Sequence, residues 1–406
     1  MRRLPVWLFV LFAALLATGT DELVIAGLLP AVAADLNVSV GAAGQLVTVF
    51  AVAYALGTPL LAVLTDRFDR RHVLIVALLV FVTANVGAAV APGYAALLGA
   101  RLVAALAAGA VTSAGFATAA AAAPPNRQGR YLSVVTAGMT VALFTGVPVG
   151  TWLAGALTWR AAFWLIAAVG LCVAIGVLAT APRIAGGDSA SLRERLAPLQ
   201  SRGVARLVGV TFLCGSGGLM FYSYLGPVSA ELADGSYQVL SLMLLVVGVA
   251  GIGGVVLGGR STDGWGARPA LLFIIAGHAA ALLVLAGFAL SGIRNVAALA
   301  VLVAIWSVFA WGLNPPLQVS MLAAAPQAGM AAMSLVISGM YLGTGVAGAL
   351  GGVLIEVASV TYLPLAAGVL LLLALGLAST PPAFRGARQV AHGDQSARSE
   401  AASDRH

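Results

Sequence analysis

Residues Leu4 to Val32 read LPVWLFVLFAALLATGTDELVIAGLLPAV, and this stretch decides the class of fold. Its only charged residues are Asp21 and Glu22, near the middle. A helix of about 20 apolar residues crosses the hydrocarbon core of a bilayer, so the stretch predicts a membrane span. An ionisable side chain at that depth costs at least ~2.5–3.5 kcal/mol. At least one of the two acids is therefore predicted to serve proton transfer, ion coupling or substrate contact.

The rest of the chain repeats this composition. It is 61% hydrophobic and 9% charged, whereas soluble proteins carry about 25% charged residues. Strands of a membrane barrel would be about half as long as these runs and would alternate in polarity. We therefore predict an all-α polytopic protein of the cell membrane with twelve transmembrane helices. The apolar runs lie at residues 5–32, 42–64, 73–91, 95–123, 131–157, 160–181, 206–230, 238–259, 269–291, 295–323, 329–356 and 360–379.

The basic residues indicate the orientation of these spans. The net charge is +7, but all 21 of the Lys and Arg residues are arginines and they cluster in short gaps between apolar runs, which indicates topology and not nucleic-acid binding. With a cytoplasmic N-terminus, only Arg101, Arg160 and Arg294 fall outside the cytoplasmic segments. Both termini are therefore predicted to be cytoplasmic. The arginines on the predicted cytoplasmic side are Arg2, Arg3, Arg67, Arg70, Arg71, Arg127, Arg130, Arg183, Arg193, Arg195, Arg202, Arg206, Arg260, Arg268, Arg385, Arg388, Arg398 and Arg405.

A polar interruption divides the chain into halves. Pro182 to Arg206 is charged, contains Gly-Gly-Asp-Ser, and predicts a cytoplasmic linker with a short amphipathic piece at Ser191–Leu199. The predicted organisation is a six-helix bundle at 1–181, the linker at 182–206, a second six-helix bundle at 207–379 and a disordered cytoplasmic tail at 380–406.

The two halves also resemble each other. The sequence DRFDRR begins at Asp66 after the second span, and DGWGAR begins at Asp263 after the eighth, 197 positions later. The same offset relates Gly146 to Gly343 and Gly155 to Gly352. Two pseudo-symmetric bundles with a site between them are a recurrent plan of secondary transporters.

The loop after span two is similar to a known signature, G-x-L-a-D-R-x-G-R-R. Residues 62–71 read AVLTDRFDRR, with Ala62 and Asp69 at the two glycine positions, and residues 259–268 read GRSTDGWGAR and keep both glycines. On these motifs the chain resembles the major facilitator superfamily, in particular its twelve-helix drug:proton antiporters of the arabinose-efflux-like and chloramphenicol-resistance-like groups. The resemblance implies a cytoplasmic latch, and since small residues permit close helix approach, the second loop should make the tighter contact. The implied latch residues are Asp66, Arg67, Arg70, Arg71, Asp263 and Arg268.

Motifs inside the spans extend the resemblance. The acids of span one precede Leu29-Pro30, with Glu22 at the family's carboxylate position, and Arg101 in span four matches a membrane-embedded arginine. The resemblance implies proton coupling by Glu22, Asp21 and Arg101. The alternatives are an interhelical hydrogen-bonded pair of acids without a transport role, and a snorkelling Arg101. Span five carries the helix-packing motif of Gly138, Gly146, Pro148, Gly150 and Gly155.

The resemblance implies a proton-coupled antiporter that exports small amphipathic compounds such as drugs or antibiotics. Its partners would be a small-molecule substrate, protons and the lipid bilayer, and a monomer is expected. Export of sugars or related metabolites is the alternative within transport, and a membrane scaffold or sensor is the alternative outside it. Aromatic and polar side chains in spans seven and ten could line the substrate pocket or could face lipid. These are Phe221, Tyr222, Tyr224, Trp311, Asn314 and Gln318.

Other chemistry finds no support in the sequence. Glycine-rich stretches such as Gly248–Gly259 lack the Lys-Ser/Thr of a phosphate loop, and no spacing of ligands or nucleophiles points to a metal, a cofactor or an enzyme. His278 in span nine is interpreted as a hydrogen-bonded core residue in preference to a proton relay.

Overall fold

The computed structural model describes residues 4–124, 127–186, 192–233, 235–325 and 329–380. Twelve helices in this part of the chain are long and apolar enough to cross a membrane, which confirms the predicted all-α polytopic fold. We number them in chain order. They are α1 Val6–Asp35, α2 Val40–Thr65, α3 Arg70–Ala89, α4 Tyr94–Ala122, α5 Gln128–Val141 continued by Ala142–Gly146 and Val147–Ala156, α6 Trp159–Thr180, α7 Arg202–Ser223 continued by Leu225–Leu232, α8 Tyr237–Trp265, α9 Ala267–Leu290, α10 Val296–Gly312 continued by Asn314–Ala324, α11 Gly329–Val357, and α12 Leu363–Ser379 after a 3₁₀ turn at Val360–Tyr362.

Three spans that the sequence predicts as continuous are broken. A π-turn at Ala142–Gly146 interrupts α5, Tyr224 interrupts α7, and Leu313 interrupts α10. Each break comes two or three residues before a proline, at Pro148, Pro227 and Pro315. Proline lacks a backbone N–H and its ring clashes with the carbonyl one turn earlier, so the helix ladder opens there.

Successive helices alternate in direction, which gives the bundles two distinct ends. The linker end is where α2 finishes at Thr65, α6 at Thr180 and α8 at Trp265. The opposite end, where α1 finishes at Asp35, is the far end. A short linker helix, Leu192–Leu196, followed by a 3₁₀ turn at Ala197–Gln200, lies against α2 and α11. The predicted tail lies outside the described residues beyond Thr380.

The bundles α1–α6 and α7–α12 meet mainly along two helix pairs, α2 with α11 and α5 with α8. The internal repeat exchanges α2 with α8 and α5 with α11, so these two interfaces are pseudo-symmetric equivalents. Gly155 of α5 faces Tyr237 of α8, and Gly352 of α11 faces Gly41 of α2. Small residues at both positions let the helices approach closely.

The hydrogen bonds that join described residues of the two bundles lie in the far-end half of the protein. They begin at the far end and stop just beyond the middle of the helices. Ser39 at the start of α2 donates to Glu356 of α11. Thr48 Oγ1 donates to the Gly345 carbonyl at 3.0 Å. Ser241 Oγ of α8 donates to the Pro148 carbonyl at 3.1 Å. This structure is therefore fastened at the far end.

Within the described part of the chain, the buried apolar side chains form two clusters. The larger one occupies the centre and the far end of the first bundle and extends along the whole length of the second, down to Val204, Met321 and Ala332 at the linker end. The smaller one lies entirely within the first bundle at its linker end. Its members come from α1, α3, α4, α5 and α6 and include Leu8, Leu11, Leu74, Leu78, Val111, Val135 and Val177.

The far end of α1 is held by an ion pair. Arg160 Nη1 at the start of α6 lies 2.5 Å from Asp35 Oδ2, and Trp159 Nε1 donates to the same oxygen at 3.1 Å. A second guanidinium nitrogen of Arg160 donates to the Ala91 carbonyl at 3.2 Å. These contacts fix the start of α6 against α1 and the α3–α4 turn.

Candidate functional site

Helix α1 passes through the middle of the first bundle, and glycines of α5 determine how closely it is held. A Cβ atom at Gly138 would collide with the Phe12 carbonyl, one at Gly146 with Thr20, and one at Gly150 with Val24. The span-five glycine motif therefore supplies a smooth face on which α1 packs. This contact brackets Asp21 and Glu22 and holds their backbone in place.

Asp21 forms a buried ion pair with Arg101 of α4. Arg101 Nη1 lies 2.6 Å from Asp21 Oδ1, and Nη2 donates to the Asp21 carbonyl at 3.1 Å. Both side chains are essentially inaccessible, at 1% and 0% exposed. Arg101 therefore does not snorkel toward a membrane surface, and the pair leaves no net charge at this point.

Aromatic rings complete the surroundings of Arg101. Its guanidinium carbon lies 4.3 Å from the centre of the Phe50 ring and 5.8 Å from that of Phe163. A desolvated cation over an aromatic face gains ~2 kcal/mol or more. Removing one partner of such a buried pair costs about 3–5 kcal/mol, because it leaves an uncompensated charge. The pair fastens α1 to α4 and α2.

Glu22 is placed differently. Successive residues of a helix point about 100° apart. While Asp21 faces α4, Glu22 faces a central cavity formed by α1 and α2 of the first bundle and α7 and α11 of the second. The cavity volume is about 20 Å³, and a single water molecule needs about 10–15 Å³. Besides Glu22 it is lined by Leu23, Ile25, Ala26, Val47, Phe50, Ala51, Leu219, Tyr222, Ser223, Tyr341 and Thr344.

A tyrosine of the second bundle binds Glu22 directly. Tyr341 Oη of α11 donates to Glu22 Oε2 at 2.6 Å. The Tyr341 ring stacks on Tyr54 of α2, with ring centres 4.1 Å apart and planes inclined by 26°. Sequence reasoning missed both tyrosines. The sequence does contain a signal for them, because each tyrosine places a polar hydroxyl near the middle of an apolar run.

The six predicted substrate residues are scattered in this conformation. Only Tyr222 lines the cavity, and its hydroxyl donates to the Leu23 carbonyl at 3.4 Å. Phe221 is buried edge-on against Trp306, 4.9 Å away, and Tyr224 donates to the Gly348 carbonyl at 2.6 Å within the helix packing. Trp311, Asn314 and Gln318 lie in the half of α10 nearer the linker end. Trp311 packs on Gly251 of α8.

Of the two loops in the predicted latch, the first makes more side-chain contacts. Asp66 pairs with Arg70, and Asp69 caps α3 by accepting from the Arg71 and His72 backbone N–H groups at 3.0 and 3.2 Å. Arg71 also donates to the Leu178 carbonyl at the end of α6. The guanidinium of Arg67 lies 4.8 Å from the centre of the neighbouring Phe68 ring.

The second loop is more open, so the expectation that it makes the tighter contact is wrong for this structure. Asp263 is exposed and forms no ion pair with the described residues, and Arg268 donates to the Ser379 carbonyl at 3.0 Å. A Cβ atom at Gly259 or Gly266 would meet nothing within 4 Å. Gly266 has a φ of +84°, so this glycine serves the turn after α8 and not a close helix approach.

His278 is a core residue, as the sequence interpretation has it, but the hydrogen bond expected of it is missing among the described residues. It is 2% exposed, packed on Gly218 of α7 with Trp306 6.2 Å away between ring centres. Neither ring nitrogen has a hydrogen-bond partner among the described residues. It lies in the second bundle and does not line the Glu22 cavity.

Comparisons with known proteins agree with this architecture. Residues 10–331 match the family described as the Major Facilitator Superfamily. The chain is 35% identical over 347 residues to the uncharacterized MFS-type transporter YbcL of Bacillus subtilis (strain 168), covering 85% of this chain and 88% of that protein. It is 36% identical over 280 residues to the chloramphenicol resistance protein of Streptomyces lividans, covering 68% of this chain and 70% of that protein.

A solved structure shows the same fold at lower identity. The crystal structure of a D-xylose–proton symporter superposes with a TM-score of 0.71 at 18% identity, covering 92% of this chain and 97% of that chain. Together with the twelve spans and the family match, this makes the chain a multi-pass membrane transporter and not an enzyme. The protein belongs to the Major Facilitator Superfamily.

Proposed function

We propose that this transporter exports small amphipathic compounds, drugs or antibiotics among them, from the cytoplasm in exchange for protons. The observation that carries the proposal is Glu22, an acid in the middle of α1 that faces a cavity between the two bundles. A secondary transporter binds its substrate and coupling ion at this position. Asp21 is already balanced by Arg101, so Glu22 is the acid free to exchange a proton.

The substrate class rests on the relatives and on the cavity. A relative 36% identical to this chain is a chloramphenicol resistance protein. The side chains near Glu22 are mostly apolar, with four hydroxyls from Tyr222, Ser223, Tyr341 and Thr344. Such a lining suits amphipathic compounds better than sugars, whose many hydroxyls need polar partners.

The transport cycle follows from the position of the bundle contacts. The arginine distribution predicts a cytoplasmic linker end, and in that orientation the far-end contacts would close the protein to the outside. In the other conformation, which is open at the far end, Glu22 would take up a proton from outside. After the bundles rock back, the proton would leave to the cytoplasm and substrate would bind. Substrate would then drive the return, which completes one exchange of substrate for a proton.

A susceptibility panel tests the function. We expect the protein, expressed in a bacterial host lacking its own efflux pumps, to raise resistance to chloramphenicol or another amphipathic compound. A protonophore should raise the intracellular level of that compound within minutes, because the proton gradient, and not ATP, supplies the energy for export. Unchanged susceptibility across the panel, at confirmed protein levels, would count against drug export.

Cysteine labelling tests the orientation. In a background with Cys172 and Cys214 replaced by Ala, Ser201→Cys near the linker end should resist a membrane-impermeant thiol reagent in intact cells. Ser291→Cys at the far end should react, since both serines are exposed and only their side of the membrane differs. The reverse pattern would invert the topology.

A further inference from the structure

The hydrogen bond between Glu22 and Tyr341 joins the two bundles at the acid that we propose to carry the proton. Glu22 belongs to α1 of the first bundle and Tyr341 to α11 of the second. Tyr341 is 2% exposed and its ring is supported by Tyr54. The exchange cycle described above uses Glu22 and assigns no role to Tyr341.

The strength of this hydrogen bond depends on the charge of Glu22. A hydroxyl that donates to an ionised carboxylate makes a bond roughly twice as strong as a neutral one. The tie between the bundles is therefore strong when Glu22 is deprotonated and weak when it is protonated. Tyr341 is buried and Glu22 is half-buried, so the local dielectric is lower than in water and the difference between the two charge states is larger.

Among the described residues at this site, Glu22 is the one variable charge. Asp21 and Arg101 neutralise each other, 2.6 Å apart. The other ionisable side chains near Glu22 are tyrosines, whose hydroxyls are ordinarily neutral at working pH. Tyr341 donates to Glu22, Tyr54 stacks on Tyr341, and Tyr222 lines the same cavity.

We propose that Tyr341 is a positioning residue that enforces coupling: its hydroxyl holds the empty, deprotonated transporter in the far-end-closed conformation until substrate arrives. This rests on the proposed function. An antiporter that returned empty and deprotonated would import protons without exporting anything. The Tyr341–Glu22 bond opposes that return, because separating the bundles would strip the ionised carboxylate of its donor.

Substrate has a direct way to release this hold. Both Tyr341 and Glu22 line the cavity, which has room for a single water molecule. Any larger compound that enters must push the two side chains apart. Substrate binding therefore breaks the same bond whose presence prevents the empty return.

The test measures proton flux and needs no identified substrate. Purified variants are reconstituted in liposomes that contain a pH-sensitive dye, and an inward proton gradient is applied with valinomycin and potassium clamping the voltage. Tyr341→Phe keeps the ring that stacks on Tyr54 and removes the hydroxyl. We expect a proton influx several-fold above that of the wild type, which should leak little.

Two further variants identify the route. Glu22→Gln combined with Tyr341→Phe should return the leak to the wild-type level, because the carrier carboxyl is gone. Tyr94→Phe is the matched control. It removes a tyrosine hydroxyl that donates to the Ala42 carbonyl at 2.5 Å inside the first bundle, and it should not leak. Tyr341→Leu replaces the Phe variant if gel filtration shows that the latter is not folded.

The outcomes separate the inference from the function it rests on. If wild-type protein exchanges drug for protons and neither Tyr341 variant leaks, the coupling role is wrong and the exporter stands. A leak that persists in the double variant also overturns the role, since protons then bypass Glu22. If the wild-type protein shows no proton-coupled export, the proposed function fails first and the role of Tyr341 fails with it.

Discussion

Replacing Glu22 by Gln is expected to reduce proton-driven export to the level of membranes without the protein. Gln keeps the shape of the side chain and can still accept from Tyr341, so the fold and the bundle contact remain. It cannot release a proton to the cytoplasm, which removes the step that links the gradient to substrate movement. The measurement is drug accumulation in inverted vesicles under an imposed pH gradient, normalised to protein level.

The matched control is Glu231→Gln. Glu231 lies at the far end of α7 and its side chain is about half exposed. Its Oε1 lies 3.6 Å from Arg294 Nη2. A surface pair of this kind contributes ~0–1 kcal/mol, so the variant should export like the wild type. Wild-type export by Glu22→Gln would remove Glu22 as the carrier. If replacing Asp21 as well left activity intact, the alternative of a scaffold or sensor would gain support.

The second large effect concerns stability. Asp21→Asn is expected to destabilise the protein by about 3–5 kcal/mol, since it strands a fully buried arginine charge. Arg101→Met should be milder, because a lone carboxylate can be neutralised by a proton whereas a guanidinium stays charged at any working pH. The double variant Asp21→Asn with Arg101→Met should recover much of the loss.

Thermal unfolding of the detergent-purified variants measures this ranking. Asp35→Asn is the control, because Asp35 also pairs with an arginine but is 46% exposed. It should shift the unfolding temperature far less than Asp21→Asn. Equal shifts for Asp21→Asn and Asp35→Asn would show that burial does not set the strength of the Asp21–Arg101 pair.

Hydropathy predicted the twelve spans because the bilayer core fixes the length of an apolar helix. It did not predict the interruptions in α5, α7 and α10, although a proline follows each one. A proline shows where the ladder is weak, but whether the helix bends, forms a π-turn or restarts depends on the neighbours that satisfy the freed carbonyls.

The acids at 21 and 22 could be found from the sequence because charge in an apolar run is conspicuous. The resemblance grouped Arg101 with both acids but did not say which acid it pairs with, and Tyr341 was missed. Arg101 lies 80 positions from Asp21 and Tyr341 lies 319 positions from Glu22, and only packing brings them to α1. The loop motifs were misleading because a glycine can be needed for two different reasons. A retained glycine suggested a close contact, whereas Gly266 is needed for its positive φ.

The small apolar cluster at the linker end of the first bundle has a consequence for biogenesis. All of its members lie between Leu4 and Ala181, so none of its contacts needs a residue from the second half. The chain emerges from the ribosome at about 5–20 residues per second, N-terminal segments first. This cluster can consolidate while α7 to α12 are still being synthesised. The central cavity, by contrast, needs α7 and α11. We therefore expect the first bundle to be assembled in the membrane before the transport site exists.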